Sequence, residues 1–255
     1  MAILKNNIPI LEYDDNQTAV IMPTHEKLQF PLPEKVVFAF LGDTIDTYAK
    51  KQNAKTVAEF VSITKKYPIY VLRHNGEEVG LCQAPMGASA ATQILDWLIG
   101  YGAKTILSAG SCGTLTDLPE NTFLVPKKAL RDEGTSYHYL PPSRFIDLDP
   151  YVLGAIQKTL TNADLPYTEC ITWTTDGFFR ETREKIELRK AEGCTVVEME
   201  CAALAACANF RNVRFGQILF TADSLANFEN YDERNWGADS LEKALSLCLT
   251  TITNI

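Results

Sequence analysis

Two carboxylates two residues apart, Glu198 and Glu200, stand between the β-branched pair Val196-Val197 and the Ala-rich run AALAACA. A helix so rich in small apolar residues packs closely, so its first turn is expected to be covered. A carboxylate there is favoured by the helix N-terminus and can accept hydrogen bonds from the hydroxyls of a sugar. A plainer alternative stays open, in which Glu200 caps the helix and Glu198 faces solvent. Asp223 follows the apolar run FGQILFTA, either as an acid delivered by a strand end or as an ordinary helix N-cap. Gly110-Ser111-Cys112-Gly113 reads as a strand-to-loop turn whose backbone N–H groups could face an anion, or as a simple tight turn. Its spacing fits neither a dinucleotide fingerprint nor a Walker loop. The chain has no GxSxG elbow, which speaks against a Ser-His-Asp hydrolase. His25 in PTHEK and His138 in SYHYLPP lie in loops, where a surface histidine is the default.

Something must hold these residues together. Val36 to Leu41 (VVFAFL) is a continuous apolar run, the pattern of a strand covered on both faces. Ile69 to Leu72 and Val79 to Cys82 flank HNGEE, whose Asn75-Gly76 pair signals a hairpin. Ala91, Ile94, Leu95, Leu98 and Ile99 follow helical spacing, and Gly100 or Gly102 can end that helix. A strand over Lys104 to Ala109 comes next. Beyond it we expect a helix near Tyr151 to Leu160, a strand near Thr168 to Trp173 and a helix near Thr182 to Ala191. The short strand Val196-Val197, a helix from Cys201 to Ala208, a strand from Val213 to Thr221 and a C-terminal helix complete the series. Such alternation predicts an α/β fold: one domain over residues 1–255, with a central mixed, mostly parallel β-sheet flanked by helices. In sheets of this kind ligands sit at the carboxyl ends of the strands. GDT after the first strand, APMGAS after Cys82, SAGSCGT after Ile106 and TADS after Leu219 all fall there.

Composition narrows the chemistry. A net charge of −8 argues against a phosphate-backbone groove, so no nucleic-acid partner is expected. No run approaches the roughly 18 apolar residues of a transmembrane helix, and the first residues do not read as a signal peptide. Seven cysteines without a CxxC pair suggest reduced thiols and a cytoplasmic location. Cys194, Cys201 and Cys207 lie close in sequence, but the three histidines are far from them, so buried thiols are expected and no metal.

Taken in order, these segments resemble the nucleoside phosphorylase family of hexameric purine nucleoside phosphorylases, uridine phosphorylases and methylthioadenosine nucleosidases. The resemblance rests on Gly42-Asp43, Met86-Gly87, Gly110 to Gly113, DEGTSYH (132–138), TTDGF (174–178), VEME (197–200) and Asp223. It covers most of the chain from Gly42 onward. The first 41 residues match poorly, and an added strand or a subunit contact is their expected role. The resemblance implies cleavage of a nucleoside's N-glycosidic bond, with inorganic phosphate as co-substrate, no cofactor, and a homo-oligomer (a dimer or trimer of dimers) whose sites are completed by neighbouring subunits. Carried over, Met199 and Glu200 lie on the ribose, Glu198 is a further substrate-binding residue, Phe178 stacks on the base, and His25 comes from the neighbour to the 5′ side of the sugar. Asp223 takes the place of the acid facing a purine. Arg234 resembles the basic residue that assists this acid when the C-terminal helix closes.

Two positions depart from the pattern. The phosphorylases hold phosphate with three arginines. One follows the GD turn by three residues, where this chain has Asp46, and another precedes the GSCG turn, where it has Ser108. A third comes from the neighbour, and an ungapped count back from Met86 puts Lys65 there. Gly42, Ser111 and Lys65 are left as the expected phosphate contacts, while Asp46 would repel a dianion. Phosphorolysis is the leading expectation. Hydrolysis by a water activated by Asp46 or Asp43 is the alternative, and a nucleoside-binding protein without turnover is a third. The base is expected to be a purine because of Asp223, although DEGTSYH resembles the uridine type. Thr182 and Glu184 fall where uracil would be read by Gln and Arg, with Arg180 and Arg183 close by.

Overall fold

The computed structural model describes residues 3–255. Val36 and Phe38 point to one side of strand β1 (Lys35–Ala39), Val37 and Ala39 to the other, and all four are buried. That is why its apolar run is unbroken: both faces of the sheet are covered. On one face lie α2 (Ala88–Gly100) and α5 (Cys201–Phe210), packed on Val36, Phe38, Ile106 and Phe215. On the other lie α1 (Thr44–Lys51), α3 (Pro150–Asn162) and α6 (Leu241–Ile252), packed on Val37, Leu107, Ile218 and Phe220. α4 (Arg183–Ala191) places Ile186 beside Trp173 and Leu130.

The strands form one ten-stranded sheet. The central ladders are parallel: β1 pairs with β4 (Glu77–Gln83) and with β5 (Thr105–Thr114), and β5 with β10 (Arg214–Ser224). β2 (Lys55–Val61) and β3 (Lys66–His74) add antiparallel hairpins to β4. The β3–β4 turn is Asn75-Gly76, both with positive φ (50° and 83°), as the dipeptide predicts. Beyond β10 come β6 (Phe123–Asp132), β8 (Tyr167–Thr175) and β9 (Val196–Glu198), with β7 (Phe145–Asp147) at the edge of β6.

Three differences from the sequence reading bear on the site. β6 was not expected, because Pro126 and two lysines interrupt its apolar pattern; Pro126 is accommodated where its pairing with β8 shifts register. The GSCG segment is not a turn. It is the second half of β5, with Gly110, Ser111 and Cys112 paired to Leu219, Phe220 and Thr221. The glycines serve close approach instead: a Cβ at Gly110 would meet Phe40 at 3.3 Å, and one at Gly113 would meet Leu225 at 2.8 Å and Asp223 Oδ1 at 3.2 Å. No added strand precedes β1 among the described residues. Residues 3–31 form a largely exposed strap with one 3₁₀ turn, Pro9–Leu11, tied down where Trp97 Nε1 donates to Glu26 Oε2 at 3.0 Å.

Candidate active site

The carboxyl ends of β1, β4, β5 and β10 open into a cavity of about 620 Å³ beneath the N-termini of α2 and α5. A volume of this order suits a nucleoside-sized ligand. A larger hollow of about 750 Å³ lies between the N-terminal strap and α2. Arg211 and Asp96 on its wall already pair with each other at 2.7 Å. The 620 Å³ cavity is where the chemistry converges.

Glu198 and Glu200 are both buried but do different work. One Glu198 oxygen accepts from the N–H groups of Glu200 (2.8 Å) and Cys201 (2.6 Å), at the start of α5. The other accepts from the hydroxyls of Thr172 (3.1 Å) and Thr174 (2.6 Å). Glu198 is therefore the group that fixes the helix start, which reverses the alternative in which Glu200 caps and Glu198 faces water. A substrate contact from Glu198 would have to displace one of these bonds. Glu200 projects into the cavity, where one carboxylate oxygen accepts from the Gly87 N–H at 2.5 Å, the amide that opens α2. Burial, reinforced by the charge of Glu198, pushes its pKa up to about 8, against the pull of the Gly87 and Met199 N–H groups. Met199 lines the wall beside it.

The far end holds Asp223, which is 5% exposed and lies against the bare Cα of Gly113. Its Oδ2 accepts from the Tyr231 hydroxyl at 3.0 Å. Burial raises the Asp223 pKa, opposed by the Tyr231 bond and the nearby charge of Arg234. Glu181 faces the same end, pushed up to about 7 by burial and then by Asp223. Phe178 and Phe179 line the cavity with their rings edge-on, centroids 5.0 Å apart, and the half-exposed Trp236 lines it too.

Arg234 lies in the loop after β10, ahead of α6, with its guanidinium on the carbonyls of Leu118 (2.8 Å) and Ala222 (3.3 Å). It touches no Asp223 oxygen by a hydrogen bond; Tyr231 does. This gives a test. Tyr231→Phe removes a donor that stabilises the charged form of Asp223, so the Asp223 pKa should rise further. We expect turnover to fall by about 3- to 10-fold and the alkaline limb of its pH profile to move upward; a downward move would contradict the assignment.

At the opposite floor, Gly42 (φ +55°) and the exposed side chain of Ser111 face the cavity. Asp43 and Asp46 follow Gly42, and Asp46 Oδ1 accepts from the Tyr70 hydroxyl at 3.0 Å. Ser108, where a cation was expected, is fully buried. Lys65 sits in the exposed β2–β3 turn over the Tyr67 ring, and His25 in the strap, with Nδ1 at 3.0 Å from Met22 O. Neither lines this chain's own cavity. Among the described residues the cavity wall carries Glu181, Glu198, Glu200 and Asp223 but no Lys, Arg or His. No group of potential metal ligands occurs among the described residues, and all seven cysteines are free and buried.

Tyr231, Glu181, Gln217 and Trp236 were not found from sequence. Only the aromatic residues in the polar loop NFENYDERNWG gave a usable signal.

Comparison with known proteins bears on this geometry. The family described as the phosphorylase superfamily matches residues 35–253, a span that begins at β1, inside the 41 residues that looked divergent. The guanosine phosphorylase of Halorubrum lacusprofundi is 25% identical over 207 residues, 77% of this chain and 84% of that protein. Among solved structures, uridine phosphorylase from Vibrio fischeri superposes with a TM-score of 0.75 at 20% identity, covering 96% of both chains. Purine nucleoside phosphorylase from Toxoplasma gondii gives 0.75 at 19% identity, over 88% of this chain and 92% of that one. At such identities the structural likeness speaks for the fold.

Proposed function

The chain belongs to the phosphorylase superfamily, and on that premise we propose that it cleaves the N-glycosidic bond of a nucleoside by phosphorolysis, releasing the base and a pentose 1-phosphate. The observation that carries this reading is the placing of two buried acids at opposite ends of one cavity, Glu200 over the α2 N-terminus and Asp223 under Tyr231.

Cleavage of a C–N bond leaves positive charge on the sugar ring and an electron pair on the departing base. Asp223, whose pKa burial raises, gives its proton to a ring nitrogen, as purine leaving groups require. Glu200 holds the sugar hydroxyls and, once ionised, stabilises the cationic ring. Met199 packs on the sugar and Phe178 covers the base. Phosphate attacks the anomeric carbon from the floor, where Gly42 and Ser111 receive it. The missing positive charge is expected from a neighbouring copy, with Lys65 at the phosphate and His25 at the 5′ hydroxyl, so the working enzyme is a homo-oligomer. Its setting, with seven reduced thiols, is the cytoplasm.

One observation favours hydrolysis as a second reading. The cavity wall offers a dianion no cation from its own chain. Product analysis by ³¹P NMR separates the two. Pentose 1-phosphate formed in step with base release supports phosphorolysis. Free pentose at the same rate with and without phosphate would make the protein a nucleosidase.

A further inference from the structure

We infer that Gln217 binds the attacking oxygen nucleophile through its side-chain amide. The inference rests on the proposed glycosidic cleavage and adds the group that receives the nucleophile.

Gln217 lies on β10, in register with Ser108 on β5. Partners in adjacent strands place their side chains on one face, and residues two apart share a face. Gly110, which lines the cavity, is therefore one pleat above Ser108 on that same face. The short Ser108 side chain ends below the floor, whereas Gln217 reaches the cavity wall. Both are buried, Gln217 to 1% exposure, and the Gln217 Oε1 and the Ser108 Oγ each lack a hydrogen-bond partner. The interior of a strand pair is an expensive place for an orphaned amide oxygen. Leucine or methionine would fill the volume without that penalty. An amide kept there fits a ligand that completes its bonding.

The chemistry of the amide defines the ligand. It offers two N–H donors and one carbonyl acceptor, so it suits an oxygen ligand that can both accept and donate. Monohydrogen phosphate has one P–O–H, and water has two O–H bonds. Being neutral, the amide would neither attract nor repel an anion strongly, unlike the carboxylates that line the rest of the wall.

The test compares wild type, Gln217→Leu and Gln217→Glu in steady state, with phosphate and nucleoside varied separately. If phosphate is the nucleophile, Gln217→Leu should raise the phosphate KM about tenfold and the nucleoside KM by less than about twofold. Gln217→Glu keeps the size and adds a charge, so it should raise the phosphate KM further. If water is the nucleophile, Gln217→Leu should instead lower the phosphate-independent rate about tenfold. Unchanged phosphate KM and unchanged hydrolytic rate in a folded variant would overturn the inference, as would equal losses in every parameter. Should the Leu variant not fold, the Glu variant alone decides on the phosphate KM or the hydrolytic rate. If wild type turns over no nucleoside, the functional reading fails separately. Thermal protection by inorganic phosphate then decides: protection lost in Gln217→Leu supports the seat, and protection equal in both proteins or absent from wild type overturns it.

Discussion

Asp223→Asn is expected to lower kcat on the best purine nucleoside by about two to four orders of magnitude, the usual worth of a positioned general acid, with KM changed by less than about threefold. The side chain sits in a fixed slot, with Oδ1 against Gly113 and Oδ2 under the Tyr231 hydroxyl at 3.0 Å. Asparagine fills that slot and can still hydrogen-bond a ring nitrogen, but it has no proton to give. Wild-type turnover should fall as pH rises through the elevated pKa of Asp223, because the acid must be protonated to act. The Asn variant should lack that limb. A substrate whose leaving group needs no proton, such as a nitrophenyl riboside, should lose far less. Steady-state kinetics over pH with both substrate types checks this, and an Asn variant equally impaired on both would remove Asp223 from the acid role.

Glu200→Gln is expected to lower kcat/KM by about a hundredfold, as charge-assisted bonds to sugar hydroxyls become neutral ones. A deoxynucleoside should show a smaller loss, since one of those hydroxyls is missing. The same substitution acts on stability in the opposite direction. The Glu200 pKa stands at about 8 in the folded protein against an ordinary 4.5. Below the lower value the carboxyl is protonated in both states, and burial of charge costs nothing. Between the two values the folded state must hold a proton or bury a charge, so stability is lost as pH rises toward 8. The ligand-free wild type should thus melt progressively earlier than Glu200→Gln from about pH 5 to 8, with the gap level above that. Melting curves across this range check it, and a gap that closes as pH rises would contradict the burial argument. Function and stability pull apart at this residue, as expected where a polar group is kept for its chemistry.

Much of this was legible in the residues. The run VVFAFL specified a strand covered on both faces, Asn75-Gly76 specified the β3–β4 hairpin, and the small-residue run after Glu200 specified a closely packed helix. With the apolar strand that carries Asp223, those elements deliver Gly42, Glu200 and Asp223 to one end of the sheet. What stayed hidden has physical reasons. Gly110 to Gly113 looked like a turn because glycine supplies both flexibility and close approach, and only the position of Phe40 and Asp223 decides which. β6 hid behind Pro126, which a register shift absorbs. The roles of Glu198 and Glu200 depended on which carboxylate meets the N–H groups of α5, and periodicity carries no such information over a three-residue strand. Tyr231 and Gln217 reach the cavity through tertiary placement: one by a loop folding back onto β10, the other by cross-strand register.

The most direct measurement is base release from a panel of inosine, guanosine, adenosine, uridine and methylthioadenosine, each incubated with the purified protein and phosphate and resolved by chromatography. The expected result is release of free base, fastest from a purine nucleoside and abolished by the Glu200 and Asp223 substitutions together. Intact nucleosides throughout, with measurable binding of one of them, would contradict catalysis at this site and leave a nucleoside-binding protein.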